Sequence, residues 1–190
     1  MSLSILSGLK VSVGAEHRRR LAIIDDEDYS GVIRKTREIL EVGRQSPVSD
    51  QYLKKGVLAL KQYYAIALLD PANGHAISAA VDPFWHAHLL HSRQYATFCD
   101  KAVGEFMHHI PLDRSNEAQM ENIRVLYGYT IEVLNKIFLP SEIDRNFWPP
   151  GIMDLHLICW HFGNSVAYPD VQHLRMFEPD PRGQNHAFNI

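Results

Sequence analysis

Apolar residues recur at helical spacing from Glu27 to Ile137, and this periodicity constrains the fold more than any other feature of the chain. Between Glu27 and Val42 the positions Tyr29, Val32, Ile33, Thr36, Ile39 and Leu40 share one face, with Gly43 placed as a stop. A second stretch, capped by Ser49 or Asp50, carries Leu53, Val57, Leu60, Tyr64 and Ala67 to Leu69, and Pro71 with Asn73-Gly74 breaks it. Asp82-Pro83 offers an N-cap acceptor followed by proline at the first helical position, where a missing N–H costs nothing. A third helix is therefore predicted from there to Val103, ended by Gly104. A fourth follows Ser115, with Met120, Ile123, Leu126, Thr130, Ile131, Leu134 and Ile137 as its stripe, and stops before Pro140. Four amphipathic helices with short connections predict an all-α bundle, with residues 27–138 as the helical core of a single domain.

Six of the ten prolines lie beyond this core, at 140, 149, 150, 169, 179 and 181. They predict an irregular segment over 139–190 packed on the bundle, interrupted by a short helix around Met153 to Phe162. The basic run His17 to Arg20 and the acidic run Asp25 to Asp28 read as two solvated patches that pair at the surface.

With 190 residues, 46% hydrophobic and 22% charged, the chain can bury a core without a disulfide or metal staple. A net charge of −3 provides no basic footprint, so no nucleic-acid partner is expected. Met1 to Gly14 has no basic stretch ahead of its apolar residues, and no apolar run approaches the roughly 20 residues that span a bilayer. The expected compartment is the cytoplasm, without membrane attachment, where Cys99 and Cys159 remain free thiols.

The chemistry is concentrated in one block. Asp82-Pro-Phe-Trp-His-Ala-His-Leu-Leu-His leads through Tyr95, Cys99 and Gly104 to Phe106-Met-His-His-Ile-Pro111 and holds five of the eleven histidines. Neutral imidazole and thiolate are preferred ligands of zinc and other transition metals, so the clustering points to a bound divalent ion, zinc or iron. Helix geometry limits which residues can share it. His86 and His88 lie about 160° apart on an ideal helix, and could converge only if Trp85-His86 belongs to an extended lead-in. His88, His91, Tyr95 and Cys99, spaced by three, four and four, share one stripe. His108 or His109, past Gly104, can fold back toward either face.

An acidic residue, Trp-His-x-His, an apolar pair, Tyr, Cys, Gly and His-His-x-Pro in this order resemble the bacterial glycine-rich-domain-containing-protein-like family. The matching positions are Asp82, Trp85, His86, His88, Tyr95, Cys99, Gly104, His108, His109 and Pro111, within a match running from Tyr63 or Tyr64 to Pro111. The resemblance implies His86, His88, Cys99 and His109 as the metal ligands, whereas a regular helix selects His88, His91 and Cys99. The chain departs from the family pattern at His91, where an acidic or small residue is usual. It departs again at Leu112-Asp113, which replace an aromatic-glycine turn, and in lacking a glycine-rich tract. No activity follows from the resemblance.

Three explanations of the block stay open: a metal site, with or without catalysis; a buried polar network in a non-catalytic module that contacts a protein partner; and metal-free acid–base chemistry. Cys99 taken alone reads as a small buried hydrophobe. Asp154, His156, Cys159 and His161 form a second, weaker cluster in the tail. No phosphate-binding loop, nucleophile elbow or His-Glu-x-x-His is present, so the common hydrolase, kinase and dehydrogenase signatures are missing.

Overall fold

The C-terminal half of one helix is wholly enclosed. Asp50–Leu69, here α3, is capped by Ser49, whose side chain accepts from the Tyr52 amide, and every residue from Ala59 to Asp70 is buried. It is covered by α1 (Ala15–Asp26), α2 (Ser30–Glu41), α4 (Asp82–Leu90) and α6 (Glu117–Ile137), with α5 (Ser92–Ala102) packed on α1 and α4. The computed structural model describes residues 4–43, 45–150, 157–161, 176–177, 180 and 182, and over these the chain is an all-α bundle with a small sheet. Among the described residues no helix is long and apolar enough to cross a membrane.

The four predicted helical stretches of the core are all helical, with three revisions to the expected picture. The first is α1, where the sequence suggested only charged patches. Glu16 pairs with Arg19 and Arg20 at the surface, but Leu21 and Ile24 are fully buried. Asp25 turns inward, accepting from Ser4 Oγ and from the amides of Ile5 and Leu6 while facing Lys61 Nζ at 3.4 Å. Lys61 is itself only 6% exposed, so Asp25 neutralises a cation that would be costly to bury alone.

The second revision is that Asp82 to Val103 is not one helix. At His91 the backbone leaves the helical region (φ −88°, ψ 51°), ending α4 and starting α5. The His91 ring supports the break, with Nδ1 2.8 Å from the Ala87 carbonyl, and Gly31 of α2 lies so close that a β-carbon there would be 2.7 Å from His91 Nε2. Neither proline nor glycine marks this site, so periodicity alone could not reveal it. At the other end of α4, Gly56 of α3 leaves room for Phe84, whose ring a β-carbon would overlap.

The third is a sheet of β1 (His75–Ser78), β2 (Ile110–Pro111) and β3 (Leu157–His161), antiparallel in the order β1-β3-β2. The short helix expected around Met153 to Phe162 is thus a strand over its described residues. Pro111 is tolerated because β2 is an edge.

Several polar groups inside the bundle are paired. Tyr63 donates to the His75 carbonyl and Trp148 Nε1 to Gln62 Oε1. Asp70 accepts from Tyr129 Oη and Asn73 Nδ2 and lies 3.2 Å from His75 Nε2. This last group also holds the described part of the C-terminal segment, through the Asp180 amide donating to Asn73 Oδ1.

Candidate metal centre

The start of α4 provides two ligating side chains through simple helix geometry. Asp82 and His86 are one turn apart, so they share a face. The sequence suggested Asp82 as an N-cap, but the helix begins at Asp82 itself, with Val81 in the capping position and no side-chain cap. The Asp82 carboxylate is directed instead toward imidazoles: His109 Nε2 is 3.0 Å from Oδ1, and His86 Nε2 is 3.6 Å from Oδ2.

His109 arrives from the segment that follows α5. Gly104, at φ +102°, turns the chain back, with its amide bonded to the Cys99 carbonyl. Trp85 Nε1 donates to Tyr95 Oη at 2.9 Å, and Tyr95 Oη donates to the Met107 carbonyl at 2.7 Å. The Trp85 ring packs on His109, with centroids 4.8 Å apart, and the next residue opens β2. His109 is therefore held on both sides by buried structure, while its own ring is 12% exposed.

His86 Nε2 and His109 Nε2 are 2.6 Å apart. Among the described residues, Asp82, His86 and His109 are the one group of three whose donor atoms all lie within 4.8 Å of one another. Asp82 is 5% exposed and the His86 side chain 46%, so the cluster is walled on its protein side and open toward solvent at His86. Burial first, and then the neighbouring His109, hold His86 below the ordinary histidine pKa against the opposing pull of Asp82. Deprotonated imidazole is the form that ligates.

His88 and Cys99 do not join this group. His88 is fully buried: Nδ1 lies 2.9 Å from Tyr64 Oη, and the ring packs among those of Tyr29, Tyr64, Tyr95 and Phe98. Burial drives its pKa down to about 4. Cys99 is a buried free thiol whose pKa is pushed by burial up to about 11, so it is neither an activated nucleophile nor a ready thiolate ligand. The set His86, His88, Cys99 and His109 is split by α4, because residues two apart point to opposite sides of a helix. The alternative set of His88, His91 and Cys99 is not assembled either, since His91 serves the break between α4 and α5. His108 is exposed and stacks against Phe106. Of the second cluster, Asp154 and His156 lie outside the described residues, while Cys159 and His161 are in β3. The residue missing from the sequence-based set is Asp82, for which the available signal was a carboxylate four residues ahead of a histidine on one helix.

No curated protein and no solved structure matches the chain. The family model described as UCP032817-like matches residues 19–136, a span that contains all three members of the cluster, and that description names no activity. Because the match covers more than half of the sequence, the chain belongs to the UCP032817-like family.

Proposed function

We propose that the protein binds a divalent transition metal, zinc or iron, through Asp82, His86 and His109, with further coordination positions open to water or a small ligand on the His86 side. The observation that carries this reading is the convergence of three lone-pair donors on one point. His109 Nε2 cannot donate to Asp82 and also accept from His86, so at most one shared proton serves three acceptors. A cation satisfies all three together. Metal–nitrogen distances of about 2.0–2.1 Å place adjacent ligands roughly 3.0–3.4 Å apart, and the separations here, 2.6, 3.0 and 3.6 Å, bracket that range.

Two histidines and one carboxylate form a donor set used by non-haem iron, and three protein ligands with open positions are also typical of catalytic zinc. Within this reading the chain's own residues have distinct roles. Asp82 contributes negative charge, the two imidazoles ligate in neutral form, and the Trp85–Tyr95–Met107 chain orients His109 from behind. An ion so held would act as a Lewis acid toward a bound water or carbonyl.

The Asp82 contact favours a second reading, in which His109 Nε2–H donates to Asp82 and only fastens the return loop to α4, with the His86 ring packed beside it. Elemental analysis of tag-free protein separates the two. Metal binding predicts about one equivalent of zinc or iron that is lost in Asp82→Ala and His109→Ala. An absence of metal in wild-type protein, even after reconstitution with either ion, would reject it.

A further inference from the structure

A groove of about 620 Å³ runs between α1 and α5, and none of Asp82, His86 and His109 lines it. Its lining includes Ile23, Glu27, Arg93, Gln94, Phe98 and Lys101. Glu27 lies in the break between α1 and α2 with its side chain only 16% exposed, and accepts from Gln94 Nε2 at 2.5 Å. Behind it sits His88. Tyr64 occupies Nδ1, while Nε2 is enclosed, has no hydrogen-bond partner among the described residues, and lies 4.0 Å from Glu27 Oε1. With the Tyr64 hydroxyl donating to Nδ1, the imidazole proton is assigned to Nε2 and faces the carboxylate. A buried, unpartnered imidazole nitrogen is uncommon and calls for an explanation.

The groove is lined by groups of opposite charge. The Glu27 carboxylate is mostly buried, accepts from the Gln94 amide and pairs with no Lys or Arg among the described residues, so it can accept a further, cationic donor. Arg93 and Lys101 are exposed and form no ion pair among the described residues, so they can take an anion. Ile23 and Phe98 contribute apolar wall. We propose that this groove binds a small zwitterion with an apolar body, its ammonium group on Glu27 and its carboxylate at Arg93 and Lys101. His88 is a positioning residue there: its Nε2–H steadies the carboxylate that takes the ammonium.

Titration calorimetry on chelator-treated full-length protein tests the proposal independently of any metal. The probes are L-leucine and the dipeptide Leu-Leu, whose charges are further apart, with N-acetyl-L-leucine as the analogue lacking the cation. Saturable binding of at least one zwitterion is expected, weakened about tenfold or more by Glu27→Gln and by Arg93→Ala/Lys101→Ala, with N-acetyl-L-leucine weaker by a similar factor. The Arg93 and Lys101 changes are at exposed positions and leave the fold intact, so their result stands even if Glu27→Gln is poorly folded. Failure of both zwitterions to bind, equal binding by the charge-removing variants, or equal binding of the acetylated analogue would overturn it.

Discussion

His86 and His88 are two residues apart on the same helix and occupy opposite environments. His86 is half exposed and faces a carboxylate and a second imidazole, whereas His88 is sealed among four aromatic rings with one nitrogen on a tyrosine hydroxyl. A motif written as His-x-His thus divides into an outward histidine, the proposed ligand, and an inward core residue, because a helix rotates successive side chains by about 100°. The inner half is built into the core, the outer half holds the proposed metal donors, and variants on each side should differ accordingly.

The largest loss of stability belongs to the inner face. His88→Ala removes a fully buried ring and leaves Tyr64 Oη without its partner. The cavity and the orphaned hydroxyl together should cost about 3–4 kcal/mol in urea unfolding. Metal content, measured on the folded fraction, should be unchanged. A variant of wild-type stability that has lost its metal would reverse the assignment of the two faces.

Next is Glu105→Gln, on the loop after α5. Glu105 is 7% exposed, and its Oε2 has no partner among the described residues. Burial raises its pKa from 4.5 to about 7. The folded state therefore holds this proton more tightly than the unfolded state, and stability from this group is full below about pH 4.5 and lost as pH rises toward 7. Glutamine removes that dependence. Relative to wild type, the variant should gain stability across pH 4.5–7 and plateau above it, by on the order of 1–2 kcal/mol after solvent screening. A stability difference that stays flat with pH would show that Glu105 ionises freely.

Much of this organisation was legible beforehand. Four apolar stripes and the Ser49 cap located the helices, because helix periodicity is local and needs no knowledge of partners. The charged ends of α1 concealed it, since only Leu21 and Ile24 are fully buried there and the inward turn of Asp25 depends on Lys61, 36 residues away. The strands were equally hidden: β2 is two residues long, and β1 finds its partner in β3 far along the chain. At the site, His86 and His109 were reached only through the family resemblance and together with His88 and Cys99, whereas Asp82 resembled a helix cap because Asp-Pro has the same composition in either role. What decides between the roles is the return of His109, set by Gly104 and by the Trp85–Tyr95–Met107 chain. Gly104 marked locally that the chain could fold back, but which face His109 reaches is a tertiary fact with no local signature.

Tyr95→Phe probes the connection between the two faces. It deletes the hydroxyl that accepts from Trp85 and donates to Met107, at a cost of about 1–2 kcal/mol. With the His109 loop less firmly held, zinc affinity in a chelator competition should fall about tenfold, within the span typical of changes behind a ligand. Unaltered affinity would mean that Trp85 packing and β2 pairing suffice to place His109.

The smallest effect on stability is expected at His86. Removing this half-exposed ring forfeits one solvent-accessible contact to His109, while the Asp82–His109 bond remains. Alanine is the better helix former by a few tenths of a kcal/mol, which offsets part of the loss. In chelator, His86→Ala should therefore unfold within about 0.5 kcal/mol of wild type. Zinc separates them: wild type at a hundredfold excess over Kd gains about 2.7 kcal/mol by mass action, and a variant missing one of three ligands gains little at the same concentration. If His86→Ala instead loses more than about 1 kcal/mol in chelator and zinc shifts neither protein, the outward histidine is a structural tie like its inward neighbour, and the contrast between the two faces of α4 reduces to exposure alone.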